Sequence, residues 1–395
     1  MSPLLSPAPT SAQLPPINVE LAEYSELFML ISASIYTLAF ILFTVDTARS
    51  SATIKRVEAE LSAEQQAERS RQLVGAGGGA VDAEAPVAFA PSALEPSIAS
   101  EDSEQAPVPS RLNRAPSLPD SELVDDDLAY VGTRRPLANV AVALTAVAAA
   151  AHAFAVVSRG IAASRWPMGN MFEFLTAAAL VVAVVYLAVL IRRDLRFLGI
   201  FVIGLVVTMM VAATIGFPTP IGHVQPALQS PWIAIHVTLA VLAMALFTLT
   251  FAMNILQLVQ SRREHALATA PKGGFERGLA KAQFMRLVPS AFSLESWVYR
   301  INAVGFVFWT LGPLITGAIW ANESWGRYWG WDPKEVWTFV IWVVYAGYLH
   351  ARATRGWTGN RAAWLSIIGF ICIIINYTVV NIWFPGMHSY AGLPE

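Results

Sequence analysis

The sequence predicts an all-α polytopic membrane protein of about eight transmembrane helices, with the N- and C-termini outside. Composition is the first reason. Of 395 residues, 55% are hydrophobic and 14% charged, where soluble domains carry about 25% charged residues. Segment length is the second. Eight apolar stretches approach or exceed the ~20 residues that cross a bilayer, at 27–45, 137–157, 172–191, 197–215, 232–259, 302–320, 335–351 and 364–384. Charge placement is the third. With the N-terminus outside, the inside connections 46–136, 192–196, 260–301 and 352–363 hold 22 of the 26 Lys and Arg. Long loops weigh little in the positive-inside rule. Without 46–136 the split is still 13 against 4. The net charge of −2 supports no nucleic-acid partner.

Taken in order, residues 1–46 form an outer N-terminus and first transmembrane helix. Residues 47–136 are cytoplasmic. Within them, 51–73 read as a charged soluble helix, and 74–130 are rich in Gly, Ala, Pro, Ser and acids. That composition buries no core and predicts a disordered linker. Residues 137–395 form a seven-helix block. The basic stretch 264–300, with Phe275, Phe284, Phe292 and Trp297, reads as an interfacial helix held by anionic lipid. The single cysteine, Cys372, lies in an apolar run, which excludes an internal disulfide or thiolate cluster.

Between the sixth and seventh spans lies a tryptophan run. Six of thirteen tryptophans, Trp320, Trp325, Trp329, Trp331, Trp337 and Trp342, fall within residues 320–342. Tryptophan anchors helices at membrane interfaces, but so many in one connection exceed that need. They suggest a platform for something flat and apolar. The core Asp332-Pro333-Lys334-Glu335 has the chemistry of a helix start: an N-cap, a first-turn proline and a capping-box glutamate. Asn170 and Glu173 begin the third span, and Asn376 and Asn381 lie in the last. Amides in a membrane commonly hold helices together. Arg159 and Arg165 are rare outside cations, suited to carboxylates or lipid phosphate.

The six histidines sort by depth. His236 and His388 both fall at the outer side and can face each other across the tryptophans. His350 closes the seventh span at the inner side, with no histidine at its level. His152, about 15 residues up its helix, stands ~22 Å from that level. His223 and His265 are loop residues. Two axial imidazoles are a common way to hold haem iron. A lone histidine near a helix end is more often an interfacial or hydrogen-bonded residue.

The string TrpGlyArgTyrTrpGlyTrpAspProLysGluValTrp, 325–337, closely resembles the WWD signature of haem-handling cytochrome c biogenesis proteins. Over residues 137–395 the chain is similar to the CcsA/ResC family of System II, called CcsB in actinobacteria. The similar blocks include 166–174, 230–237, 312–322, 348–352 and 386–392. The resemblance implies outer haem-iron ligands at His236 and His388 and a transmembrane ligand at His350. It implies haem contacts from Trp325, Trp329, Trp331 and Asp332, with His152 secondary. His223 matches no family ligand.

The reading that follows is one subunit of a cytochrome c haem lyase (holocytochrome c synthase) complex in the bacterial plasma membrane. It delivers haem b to the outer face and promotes thioether attachment to the CxxCH motif of apocytochrome c. Its implied partners are a ResB-type subunit, apocytochrome c and a thiol-reducing protein of the pathway. The alternatives are a haem exporter without ligase activity, an electron-transfer cytochrome and a solute transporter that binds no haem.

Overall fold

The computed structural model describes residues 15–77, 123–124, 130–131, 135–224, 226–269, 273–280, 283–354, 357–384 and 386–388. Among them the chain is almost wholly helical. Seven helices are long and apolar enough to cross a membrane.

Helix α1 (Val19–Gly77) is one continuous helix of 59 residues. Its apolar part, Val19–Ser50, is the first span. The expected first span and the charged helix 51–73 are therefore one element. No proline or glycine in 46–51 breaks the helix, which is why they run together. The expected linker 74–130 falls largely outside the described residues. Within it, Leu123–Val124 and Tyr130–Val131 pair as two short antiparallel strands.

Helix α2 (Pro136–Ala162) packs on α1 more closely than any other pair. Its buried face is small: Ala138, Ala141, Ala148, Ala149 and Ala155. Small residues let membrane helices approach closely. At one end of the pair Arg135 forms a buried ion pair with Asp46. At the other, Ser25 Oγ donates to the Ala155 carbonyl at 2.7 Å.

Helix α3 (Met171–Arg192) and helix α4 (Gly199–Gly216) form the next antiparallel pair. Helix α5 (Pro231–Thr269) is the central column, with 61% of its apolar window buried. It continues well past the expected end at 259. A short helix α6 (Gly274–Ala280) and the turn Gln283–Leu287 follow. Helix α7 (Ala291–Trp309) then starts on a Ser290 cap. The stretch 264–300 is thus not one interfacial helix. Its two ends belong to membrane helices, and only its middle connects them.

The sixth span is longer and less regular than expected. Helix α7 runs through a π-helical segment, Thr310–Thr316, into α8 (Gly317–Trp325). Pro313 lies inside the segment. Proline lacks the N–H that an α-helix needs and clashes with the carbonyl four residues back. A π-bulge absorbs both faults, and such bulges are frequent at functional sites.

Helix α9 (Pro333–Ala353) does not reach the hydropathy of the seven spans. Its tryptophans, tyrosines and terminal charges lower the mean. It nonetheless lies along α7 from end to end. Trp309 Nε1 donates to the Thr338 carbonyl at 3.2 Å near one end, and Arg352 pairs with Glu295 at 3.1 Å near the other. At 21 residues it is about 32 Å long, enough to cross. It is the eighth membrane helix. Helix α10 (Asn360–Tyr377) and the short α11 (Val379–Trp383) complete the bundle. The last expected span is therefore broken at Thr378.

Inside the bundle, amides and hydroxyls join α5, α7 and α10. Asn302 Oδ1 accepts from Thr250 Oγ1 at 2.6 Å, and its Nδ2 donates to Ser366 Oγ at 2.8 Å. Asn254 Nδ2 donates to the same Ser366 oxygen at 2.9 Å. A polar network of this kind sets helix register where apolar packing alone discriminates weakly.

Candidate functional site: two histidines on a tryptophan-walled cavity

The bundle opens into one large cavity at the end that carries the tryptophan run. It encloses ≈ 1210 Å³ of empty space, counted out through its mouth. Three helices begin on its wall. The start of α3 supplies Asn170 and Met171, α5 supplies Ile233 and His236, and α9 supplies Lys334 and Glu335. The wall is completed from Trp309 to Ala321, from Tyr328 and Trp329, and by His388.

His236 sits in the second turn of α5, half-buried. Its Nδ1 lies 3.3 Å from the Gly312 carbonyl, inside the π-segment. A carbonyl only accepts, so this contact puts the ring proton on Nδ1 and leaves the Nε2 lone pair unprotonated. The ring stacks on Trp320 with centroids 5.8 Å apart and planes 17° from parallel. Gly317 makes room for it: a Cβ there would lie 2.9 Å from Nδ1.

His388 follows α11. Its Nδ1 is 2.8 Å from Asp332 Oδ2, and its ring meets Trp320 edge-on at 5.4 Å and Trp325 at 5.0 Å. Asp332 has two tasks. It caps α9 through the Lys334 N–H in a full capping box with Glu335. It also clamps the C-terminal segment, because Oδ1 accepts from the Met387 N–H at 2.6 Å. Burial alone would raise the Asp332 carboxyl. The His388 hydrogen bond and charge, with the Met387 and Lys334 N–H groups, hold it below the ordinary carboxylate range instead. His388 therefore carries a carboxylate on one nitrogen, the arrangement that orients metal-binding imidazoles and raises their basicity.

The expected site residues divide clearly. His236, His388, Trp325, Trp329 and Asp332 gather at the cavity or directly behind it. Trp331 does not join them. It is 78% exposed, with φ of 58°, in the left-handed region that bulky residues avoid. It is not part of the cavity lining, and its ring contact is with Trp329 at 5.9 Å. His350 lies in the last turn of α9, at the opposite end of the bundle, exposed on its surface. His152 is fully buried between α1 and α2, edge-on to Tyr36 at 5.9 Å. Neither of its ring nitrogens has a hydrogen-bond partner.

Arg159 and Arg165 do not face the cavity either. Both are spent on Glu173, at 2.9 and 2.7 Å, in a buried cluster. Arg159 also donates to the Thr219 carbonyl and Arg165 to that of Gly222, so the cluster pins the loop after α4. Asn170 caps α3, accepting from the Glu173 N–H at 2.9 Å. Asn381 Nδ2 reaches Met171 Sδ at 2.6 Å, a contact between helices as expected of membrane amides.

Two wall residues were not singled out from the sequence. Trp320 touches both imidazoles. Its place at the head of the tryptophan run was the available signal. Lys334 was absorbed into the helix-start motif, though it is one of only four cations on the cation-poor side.

Residues 168–388 match the family model described as Cytochrome C assembly protein. That match begins at the α3 corner of the cavity and ends on His388. The chain is 34% identical over 253 residues to the cytochrome c biogenesis protein CcsA of Heterosigma akashiwo, covering 58% of this chain and 77% of that one. It is 32% identical over 257 residues to CcsA of Chlorella vulgaris, covering 60% and 81%. With CcsA of Prochlorococcus marinus it shares 34% identity over 254 residues, covering 60% and 79%. A multi-pass membrane fold and a match across more than half its length show that this chain belongs to the cytochrome c assembly protein family, with a role in cytochrome c maturation.

Proposed function

We propose that the cavity holds haem b at the outer face of the bacterial plasma membrane and presents it to apocytochrome c. One observation carries this reading. His236 and His388 line the same cavity, and each has its Nδ1 engaged behind the ring, one by a carbonyl and one by a carboxylate. With Nδ1 engaged in each ring, Nε2 is the nitrogen that would bind iron when the ring is neutral. Apolar and aromatic side chains on the wall suit a porphyrin face, whose burial is worth about 25 cal/mol per Å².

Attachment then needs positioning more than acid–base chemistry. Each thiol of a CxxCH segment adds across one haem vinyl group. Sulfur bonds to the carbon next to the ring, and the thiol hydrogen ends on the terminal carbon. The step is redox-neutral and uses no thiol of this chain, which fits Cys372 lying in α10 outside the cavity lining. The CxxCH histidine takes over one axial position as product leaves. His350, exposed on the bundle surface, would take a haem shared with a ResB-type subunit. A thiol-reducing protein keeps the substrate cysteines reduced. His152, sealed in the core, is left out of the haem path.

The test is a haem spectrum of the purified chain together with its partner. Wild type should carry low-spin haem, and His236→Ala and His388→Ala should each lose the outer-site signal and cytochrome c maturation. If both variants keep bound haem and maturation, the outer-site reading is wrong. A reconstituted assay then separates ligase from exporter. Only a ligase yields thioether-linked product that depends on a reduced CxxCH peptide.

A further inference from the structure

We propose that Lys334 is the anchor for a carboxylate of the ligand, and so fixes which edge of a porphyrin enters the cavity first. This rests on the haem reading above and assigns one more residue to the same site. Among the described residues that line the cavity, Lys334 is the sole Lys or Arg. It sits in the first turn of α9, with Nζ 5.9 Å from the centroid of the Tyr377 ring. Besides that cation–π contact, the Asp332 carboxylate is its charged neighbour.

The two nearby carboxylates are already taken. Asp332 accepts from Met387, His388 and the Lys334 backbone N–H. Glu335 Oε2 accepts from the N–H groups of Gly330 and Asp332, at 2.7 and 3.1 Å. A half-buried ammonium beside three positive helix starts favours an anion. Arg159 and Arg165, the other cations near this end, are committed to Glu173 and do not compete. The site therefore fits a flat apolar ligand bearing a carboxylate at one edge.

The test compares ferric haem with its dimethyl ester, in which two neutral methyl esters replace the two carboxylates. The full chain is titrated in phosphatidylcholine nanodiscs and the dissociation constant read from the Soret band. Wild type should bind the free acid roughly tenfold or more tighter than the diester, as expected for a charge-assisted hydrogen bond. Lys334→Met should bind both with the diester's affinity, and Lys334→Arg should restore the preference. Equal binding of acid and ester by wild type, or a preference that survives Lys334→Met, overturns the assignment while leaving the haem reading intact. Discs doped with phosphatidylglycerol that erase the preference give the lysine to lipid phosphate instead, and also overturn it. If wild type binds neither porphyrin, the haem reading falls and this one with it.

Discussion

The histidines at the two ends of this bundle, and the one sealed between α1 and α2, are chemically identical and differently prepared. At the tryptophan end, His236 and His388 each have a backing partner on Nδ1, and both lean on one indole. In the α1–α2 seam, His152 is buried with both nitrogens unpartnered. At the far end, His350 stands exposed on the surface of α9. The difference teaches that depth in the membrane does not by itself mark a ligand. A ligating imidazole must be held in one tautomer and one orientation, and the group behind it does the holding. Where nothing stands behind the ring, the histidine either serves as packing or awaits a partner from another chain.

The comparison breaks most directly at Asp332. Asp332→Asn keeps the helix cap, because Asn and Asp cap equally well. It removes the negative charge behind His388. Haem affinity should fall by about 10- to 100-fold, the usual cost of losing such a backing group. The reduction potential of bound haem should rise, since a less anionic imidazole favours ferric iron less. Circular dichroism should be unchanged. An affinity within about threefold of wild type would show that the carboxylate serves the helix start alone.

Gly317 offers a finer cut at His236. In an ordinary helix Gly→Ala stabilises by about 1 kcal/mol. Here the added methyl would lie 2.9 Å from Nδ1 and 3.0 Å from Cε1 of His236. The ring must swing off the Gly312 carbonyl to admit it. Gly317→Ala should therefore weaken haem binding about tenfold, one lost polar contact plus reorientation, while leaving the melting temperature unchanged or raised. Weakened binding together with a lowered melting temperature would point to general damage rather than to ring orientation.

Much of the fold was legible because membrane spans declare themselves by length and apolarity. The eighth helix shows the limit of that signal. Trp337, Trp342, Tyr345 and Tyr348 lower its hydropathy, yet α9 buries Ile341, Tyr345 and Tyr348 against the bundle. The π-segment was not legible, since Pro313 in an apolar run signals a kink but not which carbonyl the kink releases. Depth brought His236 and His388 together correctly as neighbours, but not through Trp320. Trp331 is 78% exposed at a positive φ, and φ is not written in composition. Arg159 and Arg165 were legible as rare outside cations. Their pairing with Glu173 depends on the turn at Ser164, itself at φ 51°.

His152 sharpens the comparison from the other side. A buried polar group with no partner costs about 1–3 kcal/mol. An unpartnered imidazole edge-on to Tyr36 should therefore be replaceable by an apolar residue of similar size. His152→Leu is expected to raise stability by about 1 kcal/mol or more, seen as a higher melting temperature in detergent. Haem affinity at the tryptophan end should not change, because no hydrogen bond or cavity wall joins the two places among the described residues. A variant that melts higher and binds haem as wild type does would fix His152 as a packing residue. A variant that loses haem without losing stability would make the α1–α2 seam part of the haem path, and preparation by a backing group would then not be required of every ligand in this bundle.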